Sequence, residues 1–156
     1  MSAKASEIIK ICGKSTSFLV FNDKEVVFWG NVLGGGKGVV INDVARCLGI
    51  ALDDAEQRIK ARGVCLPEAV NIKEDKLLAE IIRDSVEQVF KNMKSTLKNV
   101  EMLEKVSYFF IIRDDNYIPD MDKLLSNVME KPAKCVDLSM ANISIKTPEE
   151  FSKVVG

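Results

Sequence analysis

The most constraining feature of this sequence is a long stretch of helical periodicity in its middle third. From about Glu74 to Met102, apolar residues recur at steps of three to five, a spacing that fits one face of an α-helix. The apolar positions are Leu78, Ile81, Ile82, Val86, Val89, Phe90, Met93, Leu97 and Val100. At 1.5 Å per residue the helix would be about 40 Å long, which is enough to cross a whole small domain.

The sequence before this helix predicts strands. Three short runs, Glu7 to Cys12, Ser17 to Phe21 and Glu25 to Trp29, are rich in apolar residues and are separated by turn-forming residues. They predict a three-stranded meander over residues 7–33. The glycine-rich loop Gly34 to Gly38 ends it.

Two short helices are expected between the meander and the long helix, within a helical segment over residues 40–104. The first runs from Asn42 to Leu48 and is closed by Gly49. For the second, Asp53 and Glu56 form a capping-box pattern at the start, and Gly63 marks the end.

The remaining segment, residues 105–156, returns to alternating strands and helices. Val106 to Ile112 predicts a buried strand, Asp120 a cap for a short helix through Met129, and Cys135 to Leu138 a further strand. Thr147-Pro148-Glu149-Glu150 is typical of a helix start. Together these elements predict one α/β domain over residues 1–156, with a mixed β-sheet and helices packed against it.

Composition excludes several classes of function. The 22 basic and 23 acidic residues leave a net charge of −1, so no basic surplus indicates nucleic acid or an anionic membrane as a partner. The chain has no histidine, which removes Ser-His-Asp and Cys-His catalysis and histidine-ligated metals. We therefore expect no metal and no cofactor.

The cysteines and the apolar runs indicate the cellular compartment of the protein. Cys12, Cys47, Cys65 and Cys135 lie far apart without a CxxC pair, which argues against a zinc ribbon or a redox dithiol and favours free thiols. No apolar run approaches the roughly 20 residues that span a bilayer. We expect a cytoplasmic domain that reaches a membrane only through a segment outside these residues.

Three local patterns each have an ordinary and a functional interpretation. Gly36-Lys37 match part of a phosphate-binding P-loop, but Asn31 replaces its first glycine and Gly38 its Ser/Thr, which favours a plain turn. Trp29 fits a core position or a partner contact. One face of the long helix carries Glu80, Arg83 and Glu87, and it is either a solvated face or a docking ridge.

The order of the motifs resembles the second lobe of the actin-like ATPases, an RNase H-like lobe. The similarity is greatest to the branch of FtsA-type cell-division proteins and PilM/GspL-type proteins of type IV pili and type II secretion. Lys10 to Val20 resembles the family's phosphate hairpin, Ile41 to Ala45 its S/T-x-D-I-A helix, and Asp54 to Lys60 its A-E-x-I-K helix with one extra residue. Ile112-Arg113-Asp114 occupies the position of the adenine loop.

The departures from the family pattern imply a degenerate nucleotide site. Lys10 and Ser17 stand where the family has metal-ordering carboxylates, and Arg113 and Asp114 replace the glycines of the adenine loop. Glu56 and Lys60 resemble the residues that contact ribose, at an altered spacing.

The resemblance implies a non-catalytic docking domain of a type IV pilus or type II secretion apparatus, of the bundle-forming pilus type, at the inner face of the inner membrane. The implied partners are the hexameric assembly ATPase and a polytopic inner-membrane platform protein, with a homodimer as a further option. Two alternatives stay open. One is a nucleotide sensor or ATPase that holds ATP through Gly34 to Gly38 and the Glu56/Lys60 pair, and the other is an FtsA-like cell-division scaffold.

Overall fold

A computed structural model of the chain describes residues 5–23, 25–64 and 73–137. It contains a five-stranded sheet and four helices, so the predicted α/β class with a mixed sheet is confirmed. The elements are β1 (Ala5–Ile11), β2 (Ser15–Asn22), β3 (Glu25–Leu33), α1 (Lys37–Leu48), α2 (Leu52–Arg62), α3 (Lys73–Asn99), β4 (Val106–Ile112), α4 (Met121–Met129) and β5 (Ala133–Val136).

The strands lie in the order β3-β2-β1-β4-β5. The first three form the predicted antiparallel meander, whereas β4 and β5 run parallel to β1. Because β1 and β4 are parallel neighbours, their carboxyl ends meet at one edge of the sheet. In open α/β sheets this edge is the usual place for a ligand crevice.

The four helices contribute to a single core on one face of the sheet. The predicted periodicity is confirmed from Leu78 to Leu97, where Phe90, Met93 and Leu97 are each fully buried, but Val100 lies beyond the end of α3 and is 41% exposed. Burial of side chains of this size contributes about 1.5–3 kcal/mol each relative to exposure. The opposite face carries a smaller apolar cluster built on Ile8, Leu19, Ile112 and Val136.

Several helix boundaries differ from the sequence-based expectation. Helix α1 begins at Lys37 rather than Asn42, and α3 ends at Asn99 rather than Met102. The capping box at Asp53 is wrong, because α2 begins at Leu52 after Ala51 and no side chain caps it. Asp53 instead lies in the first turn, where a carboxylate interacts favourably with the helix dipole.

The C-terminal elements also differ in detail. Asp120 does precede α4, but its side chain makes no cap hydrogen bond, and its φ of 66° places it in the left-handed region. Strand β5 begins at Ala133 rather than Cys135. The helix start predicted at Thr147 to Glu150 lies outside the described residues. In the described ranges, no helix is long and apolar enough to cross a membrane.

Candidate functional site

The candidate site lies at the carboxyl ends of β1 and β4. Four segments surround it: the hairpin turn 12–14, the loop 113–116, the N-terminus of α1, and the part of α2 that carries Glu56. We call this region the carboxyl-end groove. It contains most of the positions that the family resemblance singles out.

The two predicted carboxylate positions of the phosphate hairpin are direct neighbours. Lys10 on β1 pairs with Ser17 on β2, and Ser17 pairs with Asn31 on β3, so the three side chains share one face of the sheet. The Ser17 hydroxyl donates to Asn31 Oδ1 at 2.5 Å. Lys10 Nζ lies 4.0 Å from Asp114 Oδ2 on the neighbouring loop. The structure thus brings Lys10, Ser17 and Asp114 together.

Lys37 extends its side chain into the groove from the first turn of α1. The side chain is only 7% exposed, and its ammonium lies 3.4 Å from Glu56 Oε1. It also donates to the backbone carbonyl oxygen of Asp115 at 3.2 Å. One cation therefore connects α1, α2 and the loop that stands at the adenine position.

The hairpin turn 12–14 packs against the backbone at the start of α1 and accepts its first hydrogen bonds. The N–H groups of Lys37 and Gly38 donate to the carbonyl oxygens of Cys12 and Gly13, both at 2.8 Å. A Cβ atom on Gly36 would lie 2.4 Å from the Cys12 carbonyl oxygen. These glycines permit close backbone packing, and two of the N–H groups that a P-loop would offer to phosphate are already bonded to carbonyl oxygens.

The loop 113–116 is held in place by its own hydrogen bonds. The Arg113 N–H donates to the Val136 carbonyl at 2.9 Å, and Asp114 Oδ1 accepts from the Asn116 N–H at 2.9 Å. The Tyr117 hydroxyl then donates to Asp122 Oδ1 at 2.8 Å. Burial, followed by the contact with Asp122, raises the pKa of the Tyr117 phenol, which therefore stays protonated and keeps this bond.

Two predicted site residues are not brought into the groove. Arg113 points toward β5, where its guanidinium lies 3.7 Å from Asp137 Oδ1. Lys60 is exposed on α2 and lines a shallow depression of about 510 Å³ with Asp53 and Gln57. Glu56 borders the same depression but directs a carboxylate oxygen to Lys37.

The partner-binding candidates lie on two other surfaces. Trp29 is 58% exposed on β3, so the interpretation of this residue as a core position is wrong. Glu80 is exposed on α3, and Arg83 and Glu87 line a depression of about 440 Å³ between α3 and α4. Within it, Glu87 pairs with Lys91 at 3.0 Å.

The described residues offer no metal centre, since no three of their Asp, Glu or Cys side chains converge in a suitable way. Cys12, Cys47 and Cys135 are free thiols, as expected, while Cys65 lies outside the described ranges.

The contact between Lys37 and the Asp115 carbonyl could not be predicted from the sequence. The lysine stood out only as part of an imperfect P-loop match, and its contacts are with residues far along the chain. A backbone carbonyl leaves no signature in a sequence.

No protein-family model matches the sequence, and no curated protein matches it either. Solved structures are similar in fold. The chain superposes with a TM-score of 0.70 and 11% identity on a chain of the PilM–PilN type IV pilus biogenesis complex. The match covers 96% of this chain and 39% of the matched chain. With MreB5 of Spiroplasma citri bound to ADP, the TM-score is 0.70 at 14% identity, over 99% of this chain and 55% of the other.

The ethanolamine utilization protein EutJ from Carboxydothermus hydrogenoformans gives a TM-score of 0.62 at 15% identity, over 85% of this chain and 44% of EutJ. The chain therefore spans between about two fifths and just over half of these proteins. Sequence identity of 11–15% supports similarity of fold alone. The mixed five-stranded sheet with its helices is the fold of one part of the actin-like proteins.

Proposed function

We propose that this domain is a non-catalytic docking module of a type IV pilus or type II secretion assembly apparatus. It binds the hexameric assembly ATPase and a polytopic platform protein at the inner face of the inner membrane. The actin-like fold supplies the surfaces for docking, while the carboxyl-end groove carries no nucleotide.

The occupation of the groove by the chain's own groups is the observation that carries this proposal. Phosphoryl transfer requires positioned metal, cationic groups and free N–H donors around the phosphates. Here the Lys37 ammonium is bonded to Glu56 and to the Asp115 carbonyl, and the first N–H groups of α1 are bonded to the hairpin turn. Asp114 adds a negative charge beside Lys10. A triphosphate would have to displace these internal partners.

The likeness to PilM supports the choice of apparatus. That protein was solved as a complex with PilN in type IV pilus biogenesis, and the match covers nearly all of this chain. A groove whose cation and N–H groups are already bonded within the chain fits a domain of this fold that acts by binding another protein.

A thermal melt with and without millimolar Mg-ATP tests the absence of nucleotide binding. A ligand at a hundred times its Kd stabilises a protein by about 2.7 kcal/mol, which raises the Tm of a domain of this size by several degrees. We expect no shift beyond error, with an intact actin-like ATPase as the positive control. A reproducible rise in Tm with Mg-ATP would refute the proposal in favour of a nucleotide sensor.

A binding assay with the purified assembly ATPase tests the docking function. We expect the two proteins to co-elute, and charge reversal of Glu80 and Glu87 on α3 to reduce the amount bound. The matched control reverses Glu101 and Glu104, which are exposed just beyond the end of α3. If the wild-type domain binds neither the ATPase nor the platform protein, the proposed function is wrong.

A further inference from the structure

Glu7 on β1 lies at a level of the sheet where the strand pairing is irregular on both sides. Its partners are Val20 on β2 and Phe109 on β4. The pairing of β1 with β4 shifts register between Ala5 and Ser6, and the pairing of β2 with β3 shifts register directly after Val20. Because a register shift disrupts the hydrogen-bond ladder locally, the sheet is weakened close to Glu7.

Few contacts hold the amino end of β1 to β4 beyond this irregularity. Ala5 pairs with Val106, and its N–H donates to the Lys105 carbonyl oxygen at 3.0 Å. The Ala5 carbonyl oxygen accepts from the Ser107 hydroxyl at 3.4 Å, which is long for a hydrogen bond. A strand end with so few pairings can open while the remainder of the domain stays folded.

The carboxyl group of Glu7 fits the closed strand only in its neutral form. Its side chain is fully buried on the face that packs against the helices, and neither oxygen has a hydrogen-bond partner among the described residues. Burial alone raises its pKa, so no charged side chain of the strands and helices around it offsets the loss of hydration. Lys37, the other buried ionisable side chain in the described ranges, is paired with Glu56 at the carboxyl-end groove. The Glu7 anion therefore requires water.

We infer that ionisation of Glu7 opens the amino end of β1, so that segment 5–7 separates from β4 and the carboxylate becomes hydrated while the rest of the sheet stays folded. In the open form the carboxyl ionises above its ordinary pKa of 4.5, whereas in the closed form it keeps its proton to higher pH. Opening therefore becomes more favourable as pH rises, by about tenfold per pH unit, until the pKa of the closed form is passed. This pH-responsive segment lies away from the carboxyl-end groove, and the inference does not depend on the proposed docking function.

Amide hydrogen exchange of the purified chain, followed by NMR at several pH values from about 5 to 7, tests the opening. At each pH, the rate in the wild type is divided by the rate in Glu7→Gln, which cancels the intrinsic pH dependence of exchange. We expect this ratio to rise about tenfold per pH unit for amides in segments 5–9 and 107–109. Glu104→Gln is the matched control, since Glu104 is exposed near the start of β4 and its variant should exchange as the wild type does.

The buried amides of α3 distinguish local opening from unfolding of the whole domain. Amides near Phe90 and Met93, in the core, should exchange only on global unfolding and should accelerate when about 1 M urea is added. Amides 5–9 should exchange faster than these and respond little to urea, because local opening exposes little surface. Equal rates and equal urea dependence in the two sets of wild-type amides would overturn the inference. A ratio of wild type to Glu7→Gln that stays constant with pH would also overturn it.

Discussion

Replacement of Glu7 by glutamine should remove a pH dependence from the stability of this fold. Glu7 lies in the middle of β1, between Val20 on β2 and Phe109 on β4, on the face that packs against the helices. Its side chain is fully buried, and neither carboxyl oxygen has a hydrogen-bond partner among the described residues. Burial raises the pKa of this carboxyl well above its ordinary value of 4.5, because the charged form loses its hydration.

The sign of the effect follows from proton binding. Above pH 4.5 the unfolded chain has released the Glu7 proton, while the folded chain keeps it until its own raised pKa is passed. The unfolded state therefore binds fewer protons, and the free energy of unfolding falls as pH rises, by about 1.4 kcal/mol per pH unit. Below pH 4.5 both states are protonated, and the carboxyl group adds no pH dependence.

Urea denaturation of the wild type and Glu7→Gln at several pH values from 5 to 7 measures this effect. Glutamine has nearly the same shape and does not titrate, so the contributions of all other groups cancel in the difference between the two proteins. We expect the variant to gain about 1.4 kcal/mol over the wild type for each pH unit, until the difference levels off at the pKa of folded Glu7. Parallel pH profiles would refute the reasoning, because they would show that folding leaves the pKa of Glu7 unchanged.

Two glycine substitutions test how tightly the backbone packs near the groove, each by urea denaturation against a matched glycine. Gly36→Ala should lower the free energy of unfolding by about 2–3 kcal/mol, because the new Cβ would meet the Cys12 carbonyl oxygen. Gly13→Ala meets no atom within 4 Å and should stay within about 0.5 kcal/mol of wild type; equal losses at the two sites would contradict the packing argument. Gly63→Ala should cost about 3 kcal/mol or more, since φ is 66°, ψ is −160° and the Cβ would lie 2.6 Å from the Pro119 carbonyl oxygen. Gly49→Ala, at φ 64° with no atom within 4 Å, should lower the free energy of unfolding by only about 1 kcal/mol. If Gly63→Ala lowers it by no more than Gly49→Ala does, the expected clash with Pro119 is contradicted.

The elements predicted best from the sequence are those determined by local pattern. Strand β4 spans Val106–Ile112, as its continuous apolar run predicts, and the stripe along α3 follows its 3.6-residue period. The start of α1 could not be predicted in this way. Its first N–H groups are satisfied by carbonyl oxygens of Cys12 and Gly13, and that contact exists only once the hairpin has folded against the helix.

The same distinction between local pattern and long-range contact applies to the candidate site. The resemblance to actin-like proteins located Lys10, Ser17 and Asp114, and the structure brings these positions together. It could not indicate that Lys37 bonds to the Asp115 carbonyl, because the two residues are 78 positions apart and the acceptor is a backbone atom. The capping-box prediction failed because α2 begins at Leu52, which places Asp53 inside the helix and Glu56 beyond the third helical position, where its carboxylate pairs with Lys37.

The two ion pairs of the groove bear most directly on what it can bind. Each joins a basic side chain to a carboxylate of the same chain, and the pairs are Lys10–Asp114 and Lys37–Glu56. Their stabilising effect is small, at most about 1 kcal/mol for a pair that is as exposed as Glu56, so stability alone does not account for them. Their electrostatic effect is larger, because paired charges leave no net positive field to attract a polyanion. An incoming triphosphate would gain little from these cations and would be repelled by the carboxylates beside them.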